Sequence, residues 1–179
     1  MADRSDDEPL RASDARFRRR RDELRDGLVA LLGSHARLDP IADANRAAAL
    51  AAEAVDAQRA ASRESWAVVR QAWTGDARDA LVTVLHLVSE RIGDRAVWLV
   101  IPGREPQAVP LTIDVVLDNP LGFAALAGDE LVVLDQQVPA GLTLTHVRHV
   151  SGAAAERWDL EVWGAEPWLS AATRALREG

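Results

Sequence analysis

Ala96-Val97-Trp98-Leu99-Val100-Ile101 is the stretch on which the fold turns. Its six consecutive apolar residues are too few for a helix, and no polar residue alternates with them. That pattern marks a strand covered on both faces. Pro102-Gly103 follows as a turn. Further on, Leu111, Ile113, Val115 and Leu117 alternate with Thr112, Asp114 and Val116, which predicts a half-buried strand. Asp118 is placed to cap a short helix with Pro120 in its first turn and Gly128 past its end. Residues 131–134 read as a second buried strand. Gly141 opens another over 142–150, and 157–163 alternates with Trp158, Leu160 and Val162 inward. Gly164 and Pro167 introduce a closing helix through Leu176. Connections of two to six residues suit antiparallel pairing better than crossovers. Residues 93–179 are therefore expected to form a β-β-α-β-β-β-α unit, a five-stranded, mainly antiparallel sheet with helices packed on one face. The main core is expected around Trp98, Leu99, Ile113, Val115, Val133, Leu144 and Leu160.

Upstream the period changes. Residues 1–9 hold four acids and one arginine and read as a disordered acidic tail. Residues 10–92 read as three helices, giving an α+β chain. Leu10, Phe17, Leu24 and Leu31 recur every seven residues, and Gly33 stops the first helix. After Asp39-Pro40, residues 42–73 read as one long helix, because eleven of the twenty residues 42–61 are alanine. Leu50, Ala51, Ala54, Val55, Val68, Val69 and Trp73 fall on one arc of it. An alanine face admits a close neighbour, so self-association through residues 10–92 is expected. Gly75 breaks that helix, Asp76 can cap the next, and Leu81, Val84, Leu85, Val88 and Ile92 face inward until Gly93. Trp73-Thr74-Gly75 resembles the W-x-G turn of small secreted helical-hairpin proteins. The likeness covers residues 44–92 alone, half of the chain reads as sheet, and no tyrosine exists to supply that family's export signal, so membership is not assigned.

Composition excludes several chemistries. Without cysteine there are no disulfides, thiolate metal sites, Fe–S clusters or cysteine nucleophiles. A hydrophobic share of 48% is too high for a disordered chain. All 21 basic residues are arginine, as a GC-rich, bacterial-type codon usage produces. No stretch is long and apolar enough to span a bilayer, and Met1 is followed by acids rather than a basic, then apolar, leader. The expected location is the cytoplasm. His146 and His149 form the one histidine pair, but odd spacing on a strand sends them to opposite faces, so no metal site is expected. No nucleophile elbow and no phosphate-binding glycine loop is present, so neither a catalytic centre nor a cofactor is assigned. Arg16, Arg18, Arg19, Arg20 and Arg21 are interleaved with Asp14, Asp22, Glu23 and Asp26, which reads as a solvated, ion-paired helix rather than a nucleic-acid surface.

Charge is distributed unevenly. Residues 93–179 carry a net −6, while residues 10–92 nearly balance. Glu156, Asp159, Glu161 and Glu166 are interleaved with Trp158, Trp163 and Trp168. With Trp158 inward, Trp163 falls on the opposite face beside Asp159 and Glu161. Two readings follow: an exposed aromatic anchor framed by carboxylates, or a ring covered by the closing or the N-terminal helices. The first makes Trp163, Asp159, Glu161, Glu166 and Trp168 a partner-binding set on an acidic sheet face. The function expected is a non-catalytic interaction module (an adaptor, chaperone or immunity-type inhibitor) whose charge matches a basic protein. The alternatives are a small enzyme or ligand-binding domain with a pocket between sheet and helices, and an oligomeric structural subunit built on the alanine-rich helices.

Overall fold

A computed structural model describes residues 7–33, 41–148 and 156–179. Residues 1–6 of the acidic tail, the Asp39-Pro40 break and His149 lie outside that set; residues 7–9 already belong to the first helix. The helices are α1 (Asp7–Leu32), α2 (Ala44–Ser62), α3 (Arg78–Ile92), α4 (Ile113–Asp118), α5 (Pro120–Leu126) and α6 (Trp168–Glu178). The strands are β1 (Val68–Thr74), β2 (Ala96–Ile101), β3 (Gln107–Thr112), β4 (Glu130–Asp135), β5 (Gly141–Val147) and β6 (Arg157–Trp163). They form one sheet in the order β1-β6-β5-β4-β2-β3, antiparallel at every pairing. The protein is α+β with an antiparallel sheet and packed helices.

The sixth strand corrects the reading of residues 42–73 as one helix. Alanine carries α2 from its Asp43 cap, which accepts a hydrogen bond from Arg46 N at 2.8 Å, to Ser62. Ser62-Arg63-Glu64-Ser65 then offers nothing apolar to bury, and the β-branched Val68 and Val69 follow in extended conformation. Val68, Val69 and Trp73 suit a helical arc and a strand equally well, and pairing with β6 decides the outcome. Trp73-Thr74 accordingly ends a strand rather than turning a helical hairpin. A second correction concerns 111–117. The strand stops at Thr112, and Ile113, Val116 and Leu117 are the buried residues of α4, spaced three and one apart as a helix requires. Asn119, not Asp118, caps α5, accepting from Gly122 N at 3.1 Å.

Side-chain alternation gives the sheet two different faces. One is mainly apolar: Val97, Leu99, Val133, Leu144, Leu160 and Val162 meet Leu24 and Leu28 of α1, Leu81, Leu85 and Val88 of α3, Phe123 of α5 and Trp168 of α6. Pairing puts Gln71, Gln107, Asp135 and His146 on the same side. The other face is met by α2 through Ala47, Leu50, Ala54 and Ala61. The alanine face is therefore covered inside the chain by the sheet, and the observation that suggested self-association through it is removed. Five of the seven expected core residues are buried; Trp98 and Val115 are half-buried.

Candidate functional site

Cross-strand register shows why α2 covers only part of its face. The first row runs Val68–Trp163–Gly141–Leu134–Trp98–Pro110 across all six strands. It is apolar from edge to edge. The second row runs Arg70–Glu161–Thr143–Val132–Val100–Ala108, and the third holds Ala72, Asp159, Thr145 and Glu130. The second row is thus polar on β1, β6 and β5 and apolar on β4, β2 and β3. A helix of small apolar residues gains by covering apolar area, at about 25 cal/mol per Å². It follows the first row and the apolar half of the second, and leaves the polar half bare.

The bare half is a cleft of about 490 Å³ floored by Thr143, Thr145, Asp159 and Glu161, with Arg70 and Gln58 at its sides. It adjoins a second hollow of about 380 Å³ along α2, walled by Ala51, Val55, Val100 and Val132; Gln58 and Glu130 belong to both. Ion pairs cross the floor. Arg70 donates from Nε and Nη2 to the two Glu161 oxygens, each at 3.1 Å, and from Nη2 to Ser62 Oγ at 3.2 Å. This fork ties β1 to β6 and to the last residue of α2. Arg157 donates to Asp159 Oδ2 at 2.7 and 3.1 Å. Glu130 is exposed and has no ion-pair partner among the described residues.

The five predicted site residues do not stay together. Asp159 and Glu161 line the cleft. Trp163 shares their face, as alternation predicted, but α2 covers it completely, and its Nε1–H donates to Thr143 Oγ1 at 3.3 Å. Gly141 makes room for that ring: a Cβ there would lie 2.0 Å from the Val133 carbonyl oxygen and 3.0 Å from the indole. Trp168 is wholly buried in the core beyond the other face. Glu166 is exposed, and its carboxylate accepts from Ser170 N at 3.2 Å, in the first turn of α6. Neither predicted tryptophan presents its ring to solvent. The exposed one is Trp66, 73% accessible, two residues ahead of β1.

Three further polar arrangements lie outside the cleft. His146 stacks on Trp158 with centroids 4.2 Å apart. Its Nδ1 lies 3.2 Å from Asp129 Oδ1, and its Nε2 lies 3.4 Å from Glu156 Oε2, near enough for attraction but off the line of a hydrogen bond. Asp129 also accepts from Arg148 at 2.8 Å, and that bond, with help from His146, holds its carboxyl below the usual range despite some desolvation. Among the described residues no three such groups converge as metal ligands. Gln107, on β3, is fully buried with no hydrogen-bond partner for Oε1 or Nε2 among the described residues, beside a cavity of about 210 Å³ formed with Arg20 and Leu24 of α1, Ile101 and Leu126. A buried carboxylate, Asp135, accepts from Trp168 Nε1 (2.8 Å), Arg95 Nη1 (3.0 Å), Gln137 N (2.7 Å) and Val138 N (3.3 Å). Burial pushes its pKa up, but these donors together outweigh burial and leave it lowered. Its partners are structural, since they pin the 136–140 turn and α6 to β4.

Compared with protein-family models, curated proteins and solved structures, the chain matches none. Among the described residues no helix is long and apolar enough to cross a membrane.

Proposed function

We propose that the protein is a non-catalytic interaction module that receives a segment of another protein in the open half of the sheet, alongside α2. The observation that carries this reading is the bare half-face itself. A six-stranded sheet has room for more than one helix on this side and, among the described residues, carries α2 alone, so the uncovered strands present a polar floor beside the exposed flank of α2. An amphipathic segment lying parallel to α2 would set apolar residues against Ala51 and the exposed Val55 and polar ones over Thr145, Asp159 and Glu161. Glu130 is the acid left to attract a cation, because Arg70 and Arg157 already neutralise Glu161 and Asp159. The preference for a basic partner therefore rests on Glu130 and on the net −6 of residues 93–179. The anchor is not Trp163.

The test is a photo-cross-linking side chain at Thr145, with a second placed at Arg174 on α6, on the opposite side of the sheet. Cross-linked protein at Thr145 and not at Arg174 is expected. Equal labelling at both positions, or none at Thr145, would end this reading.

A second reading, a ligand-binding domain with its pocket between sheet and helices, is favoured by Gln107 alone. An unpaired buried amide costs about 1–3 kcal/mol per group, and a small molecule carrying both a donor and an acceptor, with a negative group toward Arg20, would satisfy it. A rise in melting temperature with small hydroxy- or amino-carboxylates, absent in Gln107→Leu, would support it; no rise would remove it.

A further inference from the structure

We infer that the free edge of β1 pairs with the same edge of a second copy, giving a twofold dimer with a continuous twelve-stranded sheet. This rests on the edge alone and not on the cleft.

The two edges of the sheet are finished differently. At β3 the chain closes its own edge: Ala42 N donates to Ala108 O at 2.9 Å, and Pro110 offers no N–H. At β1 no described strand follows. The alternation of its hydrogen bonds is fixed by Gly164 N to Ala67 O (3.0 Å) at one end and Gly75 N to Glu156 O (2.8 Å) at the other. Val69, Gln71 and Trp73 therefore address β6, and the N–H and C=O groups of Val68, Arg70, Ala72 and Thr74 point away from the sheet. The outward carbonyl of Ala72 is held by its neighbour's side chain, Gln71 Nε2, at 3.2 Å, a contact that a pairing strand would replace. Arg70, Gln71 and Ala72 are all exposed. An uncapped edge of this kind is a template for strand addition.

The sequence of the edge selects its own copy. Laid antiparallel about a twofold axis at Gln71, all seven residues of VVRQAWT find partners. Arg70 then opposes Ala72 of the copy, and Val68 opposes Thr74; these are the four outward-pointing residues, so every hydrogen-bonding position meets another. Val69 opposes Trp73, apolar against aromatic. Centring the axis on Arg70 would set two guanidinium groups opposite each other, and centring it on Ala72 would carry Val68 beyond the end of the strand. Trp66, the most exposed large apolar residue described, lies two residues ahead of the strand, so a second copy along this edge passes it.

Seven strand residues make a small interface, so a dimer that fills with concentration is expected. The register supplies a sharp test because the chain has no cysteine. Gln71 would face Gln71 of the copy as a non-hydrogen-bonded pair, with Cα atoms about 4.5 Å apart, inside the roughly 4.4–6.8 Å range that a disulfide spans. Thr74 of the two copies would stand about 20 Å apart at 3.4 Å per residue. Under mild oxidation Gln71→Cys should become a covalent dimer, and Thr74→Cys should remain monomeric. Sedimentation of the unmodified protein should show mass rising to twice the chain mass with concentration. Ala72→Arg, which sets arginine opposite Arg70, should shift it back to monomer while leaving the melting temperature in place. A monomer at all concentrations, or disulfide formation by Thr74→Cys as fast as by Gln71→Cys, would overturn the inference. Gln71 and Ala72 also border the cleft, but disulfide formation and sedimentation read pairing of the edge, whereas cross-linking at Thr145 in the unsubstituted edge reads occupancy of the cleft.

Discussion

The two faces of the sheet are made from the same strands, yet among the described residues one is covered by five helices and the other half-covered by one. On the closed face apolar residues predominate on every strand, with Gln71, Gln107, Asp135 and His146 as exceptions, so bare area would be costly and helices accumulate over it. On the other face apolar character extends fully along one register row and then stops between Thr143 and Val132. Coverage ends where that boundary lies. The open region is thus written into the strands as a polar patch, and Arg70 and Arg157 pair with two of its carboxylates.

This comparison can be broken from its covered side first. Trp163→Ala should cost about 3–5 kcal/mol by denaturant melting, as a fully buried aromatic does. A loss under 1 kcal/mol would mean that α2 does not close over the first row. Asp135→Ala should cost a similar amount, about 3–5 kcal/mol, because it leaves Arg95 and Trp168 without a partner. The same carboxylate has a lowered pKa in the folded state. Its contribution is then fully present above the unfolded carboxyl pKa of about 3.9 and is lost as pH falls below that value through the folded pKa. Melts of the natural protein should lose stability below about pH 4 more steeply than melts of Asp135→Asn. Equal slopes would show that Asp135 is not held charged.

Smaller effects sharpen the boundary. Gln107→Leu should raise stability by about 1–3 kcal/mol, since it removes two unpaired buried groups at similar volume. A loss of stability would show that the amide is satisfied in solution. Arg46→Ala should cost about 0.5–1 kcal/mol, the worth of a guanidinium 5.5 Å above the half-buried Trp98 ring. On the open side, Asp159→Ala should change stability by less than about 1 kcal/mol, as exposed ion pairs do.

Much of this fold is legible in the chain. AVWLVI is a strand paired on both sides, with Val97 and Leu99 buried in one core and Val100 in the other. The inward stripe of α3 and the alternation of β6 also hold. What escaped is non-local. β1 is a strand because of a partner ninety residues away in sequence, and nothing within 68–74 separates it from the end of an alanine-rich helix. Residues 113–117 satisfy both periods, so only burial of Val116 decides for α4. The candidate site was half visible. Alternation put Asp159, Glu161 and Trp163 on one face, but where α2 stops decides that the carboxylates are open and the indole is closed. Arg70 and Thr143, which complete the cleft, belong to strands brought together only by the sheet order.

The most direct test of the central claim is the affinity of the protein captured at Thr145 for the double charge reversal Glu130→Arg, Asp159→Arg. Both residues are at the open half-face and neither belongs to the buried core. The account predicts binding weakened by about 2 kcal/mol or more, with a denaturant midpoint close to that of the unmodified protein. Undiminished binding by a stably folded double variant would contradict it, and the partner would have to be met elsewhere on the molecule.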